Sequence, residues 1–120
     1  MSEVRIHVSH IGDFFEKAIQ AGARIDAGDV SAQPGEIAFE SMDLLLKVLT
    51  ANRWRLMRSL RAAGTSSIRQ LAHALKRDYR GVHADVVALI EVGLIEKTED
   101  GLITVPWDRI TAEMTITEAA

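Results

Sequence analysis

The chain lacks cysteine altogether and holds two prolines among its 120 residues. Without cysteine there is no disulfide, no thiolate zinc site and no cysteine nucleophile. No stretch approaches the roughly 18 consecutive apolar residues of a membrane span. The N-terminus also lacks the basic-then-apolar pattern of a secretory signal, so a cytoplasmic protein with no membrane contact is expected. Internal repeats and low-complexity tracts are absent, and DAGDVSAQPG, residues 26–35, is the one linker-like segment. Nucleophile elbow, phosphate loop, metal motif and acid–base pair are all missing, which argues against an enzyme and leaves no cofactor to expect. Aromatic residues are few, at 5%. Trp54 and Trp107 read as core and core-edge residues, not as stacking platforms.

What is present suits one globular domain: 48% hydrophobic and 26% charged residues in a chain long enough to bury a core. The net charge of −3 conceals a segregation. Residues 1–46 carry three basic side chains against eight acidic, giving −5. Residues 47–97 carry ten against four, giving +6, and residues 98–120 carry one against five, giving −4. An electrostatic footprint for a polyanion is therefore to be sought in the middle of the chain.

Hydrophobic periodicity and capping signals divide the chain into elements. Val4, Ile6 and Val8 alternate with Glu3, Arg5 and His7, the pattern of a half-buried strand. Ile11, Phe14, Phe15, Ala18 and Ile19 recur at helical spacing, with Gly22 as a stop. Ile37 and Phe39 suggest a short strand before Ser41, which can cap a helix over 42–49. Thr50 can cap a further helix over 51–63, with Trp54, Met57 and Leu60 facing inward and Arg53, Arg55, Arg58 and Arg61 outward. Ser67 and Gln70 form a capping box for a helix that buries Ile68, Leu71, Ala72 and Leu75. Asp78, in a tight turn, can cap the next helix, which buries Val82, Val86, Leu89 and Ile90 and stops at Gly93. LIEK and LITV then flank an Asp-Gly hairpin turn, and Pro106 closes the segment. Ile110, Ala112, Met114 and Ile116 alternate as a last strand.

Helix, short turn, helix and hairpin in this order describe a winged helix-turn-helix. The expected class is α+β, mainly α, with an N-terminal strand–helix arm at 1–40, a DNA-binding domain at 41–107 and a C-terminal strand and tail at 108–120. The run SIRQLAHALKRDYRGVHADVVALIEVGLIEKTEDGLITVPWD, residues 67–108, resembles a family of bacterial and archaeal transcriptional regulators with a MarR-like winged helix. Their run has the form S-I-R-[EQ]-L-A-x-x-L-x-R-D-x-x-x-V-H-x-D-V-x-A-L-x-x-x-G-L-I-E. IAFES at 37–41 and KVLTANRW at 47–54 share the likeness, which covers nearly the whole chain. The resemblance implies a DNA-binding repressor. Because members are often encoded beside RelE-like toxins, it also implies an antitoxin that represses its own operon.

On the second helix of the motif the outward positions are Tyr79, Arg80, Gly81, His83, Ala84 and Val87. Arg80 is the leading base-edge candidate, since its fork can bond guanine through two hydrogen bonds. Tyr79 and His83 can donate to phosphates or bases. Ser67, Arg69, Lys76, Arg77 and Lys97 are placed for phosphates, the first two at a helix N-terminus. Gly81 permits a close backbone approach at the expense of about 1 kcal/mol of helix stability. Ala84 and Val87 stand where the similar proteins commonly carry a basic or polar residue. Ala84 can touch a thymine methyl, whereas Val87 suits packing on a neighbour. The acidic tip Glu99-Asp100 would repel phosphates, so moderate affinity that depends on dimerisation is expected.

A winged helix has no place for the strands at 3–8 and 110–116, which need each other or a second chain. A homodimer matching palindromic half-sites is expected, with Val4, Ile6, Val8, Phe14, Phe15, Ile110, Met114 and Ile116 at the dimer or partner interface. The acidic ends would also suit a basic, RNA-handling toxin. The rival reading is a protein-interaction module that binds no DNA. His7 and His10 read as surface histidines and His73 as an exposed one, so no metal is expected.

Overall fold

A computed structural model describes residues 2–9 and 35–116. Among these residues the chain is α+β, with four helices and two three-stranded sheets. It divides into two compact units, one made of residues 1–45 with 108–120, the other of residues 46–107. The helical expectation at 11–19, with Phe14 and Phe15, lies outside the described residues.

The first unit is a parallel sheet. Strand β1 (Glu3–Val8) is central, between β2 (Gly35–Phe39) and β6 (Arg109–Ala112), and pairs in parallel with both. The terminal strands thus pair with each other within one chain, Val4 opposite Ile110 and Ile6 opposite Ala112. The amide of Arg109 donates to the Ser2 carbonyl at 3.1 Å and that of Glu113 to the Ile6 carbonyl at 2.8 Å. Val4 and Ile6 are fully buried, each worth about 1.5–3 kcal/mol of transfer free energy. His7 is buried too, contrary to its reading as a surface residue. Strand β6 stops at Ala112, earlier than the alternation suggests, and leaves Met114 and Ile116 exposed.

The second unit begins within helix α1 (Met42–Val48), whose Leu44 amide donates to the Ser41 hydroxyl at 3.1 Å. Thr50 caps α2 (Ala51–Ala63) by accepting from the Arg53 amide at 3.2 Å. This helix buries Leu56, Met57 and Leu60, and Trp54 is exposed. At 3.6 residues per turn Trp54 and Leu60 lie about 120° apart, so a stripe centred on Leu56 and Leu60 turns Trp54 outward. Arg53 shares the flank of that stripe and is half-buried, not on the outer surface.

Gly64, at φ +86°, ends α2 and lets the chain enter β3 (Thr65–Ser66). Helix α3 (Ile68–Leu75) starts with the full capping box: Ser67 Oγ accepts from the Gln70 amide and Gln70 Oε1 from the Ser67 amide. It buries Leu71 and Ala72, while Ile68 and Leu75 are half-buried. Lys76 ends it in the left-handed region, at φ 55°. After two residues, α4 (Tyr79–Glu91) begins and buries Val82, Val86 and Leu89. Asp78 stands at its N-cap, but its side chain makes no capping bond.

Strands β4 (Glu96–Lys97) and β5 (Ile103–Thr104) form the hairpin, with β3 on the far side of β5. The turn has three residues, not the two of a tight Asp-Gly hairpin. Thr98 and Leu102 close it through a 2.7 Å bond, and Gly101 takes the left-handed position at φ +79°. Trp107 Nε1 donates to the Gly93 carbonyl at 3.0 Å, tying the end of the unit to the end of α4.

Candidate nucleic-acid interface

A side chain from the first turn of α3 reaches the first turn of α4 across the two-residue step. Arg69 lies over the Tyr79 ring, its guanidinium carbon 5.7 Å from the centroid. Tyr79 and His83 stand one helical turn apart, with centroids at 5.8 Å and a 34° tilt. An open cavity of about 420 Å³ runs from this group to the hairpin, and Ser67, Arg69, Tyr79, His83 and Lys97 all line it. Five of the ten residues singled out for DNA contact are therefore brought to one place. Val87, Ile90 and Ile103 also line it, so Val87 is part of a wall and not a missing cation.

Arg80 and Ala84 are exposed on α4 but do not line the cavity, and Lys76 is exposed at the left-handed step. Arg69, Lys76, Arg80 and Lys97 take part in no ion pair among the described residues. Their charge is available to an outside anion. The turn of the hairpin carries Glu99 and Asp100, both exposed.

Arg77 differs. Its Nη2 donates to Asp85 Oδ2 at 2.9 Å, and its Nη1 is buried with no hydrogen-bond partner among the described residues. The other oxygen of Asp85 accepts from Arg53 Nε at 3.0 Å. Arg53 in turn gives Nη1 to the Val48 carbonyl at 2.9 Å, at the C-terminal end of α1. One carboxylate thus ties α4 to α2 and to the step between the helices, with all three side chains 15–29% exposed. Neither Arg53 nor Arg77 is a free phosphate ligand in this arrangement. Gly81 bears on the same clamp, since a Cβ there would stand 3.4 Å from Arg77 Nη2. Sequence reasoning passed over Asp85 and misplaced Arg53. The available signal was a lone acid on an inward flank of α4, eight residues after Arg77, inside the most basic stretch of the chain.

The interface residues expected in the first unit divide by burial. Val4 and Ile6 are sealed inside the sheet, Val8 and Ile110 are half-buried, and Met114 and Ile116 are open to solvent.

The family HVO_A0114 matches residues 48–112, more than half of the chain. The chain belongs to the HVO_A0114 family. The match runs from the last residue of α1 to the last residue of β6, so in this family member it takes in the cavity, the Asp85 clamp and the strand that returns to the first unit. No curated protein and no solved structure matches the chain. Among the described residues no helix is long and apolar enough to cross a membrane.

Proposed function

We propose that residues 46–107 form a winged helix-turn-helix that binds double-stranded DNA, and that the protein is a sequence-specific transcriptional repressor acting as a homodimer. The observation that carries this reading is the gathering of Ser67, Arg69, Tyr79, His83 and Lys97 around one open cavity beside the exposed face of α4. Cations without carboxylate partners on one face are what a phosphate backbone requires. Arg80, exposed on the same helix, is the base-reading residue. The likeness of residues 67–108 to MarR-like regulators supports the same reading. Through that likeness an autoregulating antitoxin is the biological role it favours.

The test is fluorescence anisotropy with the DNA upstream of the gene and an unrelated duplex, at two salt concentrations. Specific binding with a steep salt dependence is expected. Arg80→Glu should abolish the preference for the upstream duplex while leaving the fold intact. Equal, weak binding to both duplexes would overturn the reading.

One observation favours a second reading, a protein-interaction module. The unit built from residues 1–45 and 108–120 carries four basic and eleven acidic residues, a net −7. Such a charge balance suits a basic partner such as an RNA-handling toxin. Under that reading Arg80→Glu has no DNA binding to lose.

A further inference from the structure

The cavity beside α4 has a feature that contact with a phosphate backbone does not call for. Its rim is cationic and donor-rich, with Arg69 and Lys97, while its wall is branched aliphatic: Val86, Val87, Ile90 and Ile103. Val86 and Ile103 are buried, so the apolar surface open to a ligand is that of Val87, which is exposed, and of Ile90, which is half-buried, on a floor continuous with the hydrophobic core. None of the lining residues is acidic, in a chain with 17 acidic and 14 basic residues. A phosphodiester gains nothing from an aliphatic wall, whereas an anion with an apolar body gains from both parts.

We infer that this cavity binds a small amphiphilic anion, a carboxylate on a saturated aliphatic tail. The carboxylate would lie against Arg69 and Lys97, with the tail along the wall. An aliphatic tail fits better than an aromatic ring because the aromatic surface here is already occupied. Arg69 covers the Tyr79 ring, and His83 packs against it. The cavity volume, about 420 Å³, falls within the range of small-molecule sites. Because the rim residues are those assigned to DNA, the anion and the DNA exclude each other. That last clause rests on the DNA-binding reading, but the anion site does not.

The test is calorimetric titration of the full chain with sodium octanoate, beside inorganic phosphate (the charge alone) and 1-octanol (the tail alone). Saturable octanoate binding is expected, at least about tenfold tighter than either control. Val87→Glu places a carboxylate in the wall at an exposed position. It should weaken octanoate binding by about tenfold or more, with circular dichroism unchanged. No octanoate binding, binding no tighter than phosphate or octanol, or binding unaffected by Val87→Glu would each overturn the site. Octanoate is then added to the DNA complex. Release of DNA supports the exclusion, and a stable ternary complex overturns it. Val87-sensitive octanoate binding by a protein that binds no DNA would uphold the anion site and reject the DNA reading alone.

Discussion

The two units of this chain are built on opposite rules. Among the described residues the unit of 1–45 and 108–120 is built on a parallel sheet, and its sequence has net charge −7; that of residues 46–107 is helical with a small antiparallel sheet, and its ten basic against six acidic residues give +4. In the first, neighbouring strands come from distant parts of the chain, since a parallel pair needs a long crossover. In the second, α3 packs on α4 and β4 pairs with β5, elements that follow one another in the chain, and β3 reaches across it to pair with β5. Charge is also used differently. In the sheet unit Arg5 is hydrogen-bonded to Glu113 and lies 4.0 Å from Glu36, which hold its guanidinium above the usual arginine range. In the helical unit two arginines are drawn inward by Asp85, and Arg69, Lys76, Arg80 and Lys97 stay open to solvent. Among the described residues, then, the cation at the centre of the sheet is paired with acids of its own unit, whereas Arg69, Lys76, Arg80 and Lys97 make no ion pair.

This contrast can be broken or sharpened by substitution, read by hydrogen exchange on the full chain. Ile6→Ala has the largest expected effect, about 3 kcal/mol for a cavity in a sealed sheet face. Amide protection should fall across β1, β2 and β6 but hold in residues 46–107. Equal loss in both would mean that the units unfold together and that the contrast is one of composition only.

Asp85→Asn follows, at about 2–3 kcal/mol, because two partly buried guanidinium groups lose their shared counter-charge. Protection should drop in α2 and α4 and leave β1 untouched. The loss is smaller than for a fully buried pair because water still reaches these side chains.

Gly81→Ala should raise the melting temperature, since alanine stabilises a helix interior by about 1 kcal/mol relative to glycine. The neighbouring Arg77 is at van der Waals distance from the added carbon and need not move. If the glycine serves a close approach of DNA, affinity for the upstream duplex should fall while stability rises. If it serves only the Arg77–Asp85 pair, affinity should be unchanged.

Glu113→Gln should change stability least, by less than about 1 kcal/mol, because both partners are about 45% exposed and screened by water. Since Arg5 is raised above its ordinary value, its contribution is complete at every pH below that value and is lost only as pH climbs past it. Urea midpoints at pH 7 and pH 9 should therefore show no difference traceable to Arg5.

Much of the helical unit could be read directly from residues. Ser41, Thr50 and the Ser67–Gln70 pair cap helices where their side-chain chemistry demands, because a cap involves atoms three residues apart. Gly93 and Gly101 stand at positive φ at the points where the chain has to turn. The stripe Val82, Val86 and Leu89 follows helical periodicity without outside help. Arg53 defeated the same reasoning. Its solvent-side placement followed from period alone, whereas its partner lies 32 residues further on.

The residues by themselves therefore determined where the helices of the described residues begin and end and which sign of charge each segment carries. These depend on interactions within a turn or two of chain. Only the tertiary structure decided that β1 lies between β2 and β6, that His7 is buried, that Asp85 pairs with two partly buried arginines, and that Arg69, Tyr79, His83 and Lys97 share one cavity with Val87. Each of these needs groups far apart in sequence to be brought within a few ångströms. The balance of burial and loop closure that does so is a property of the whole fold and is written in no single segment.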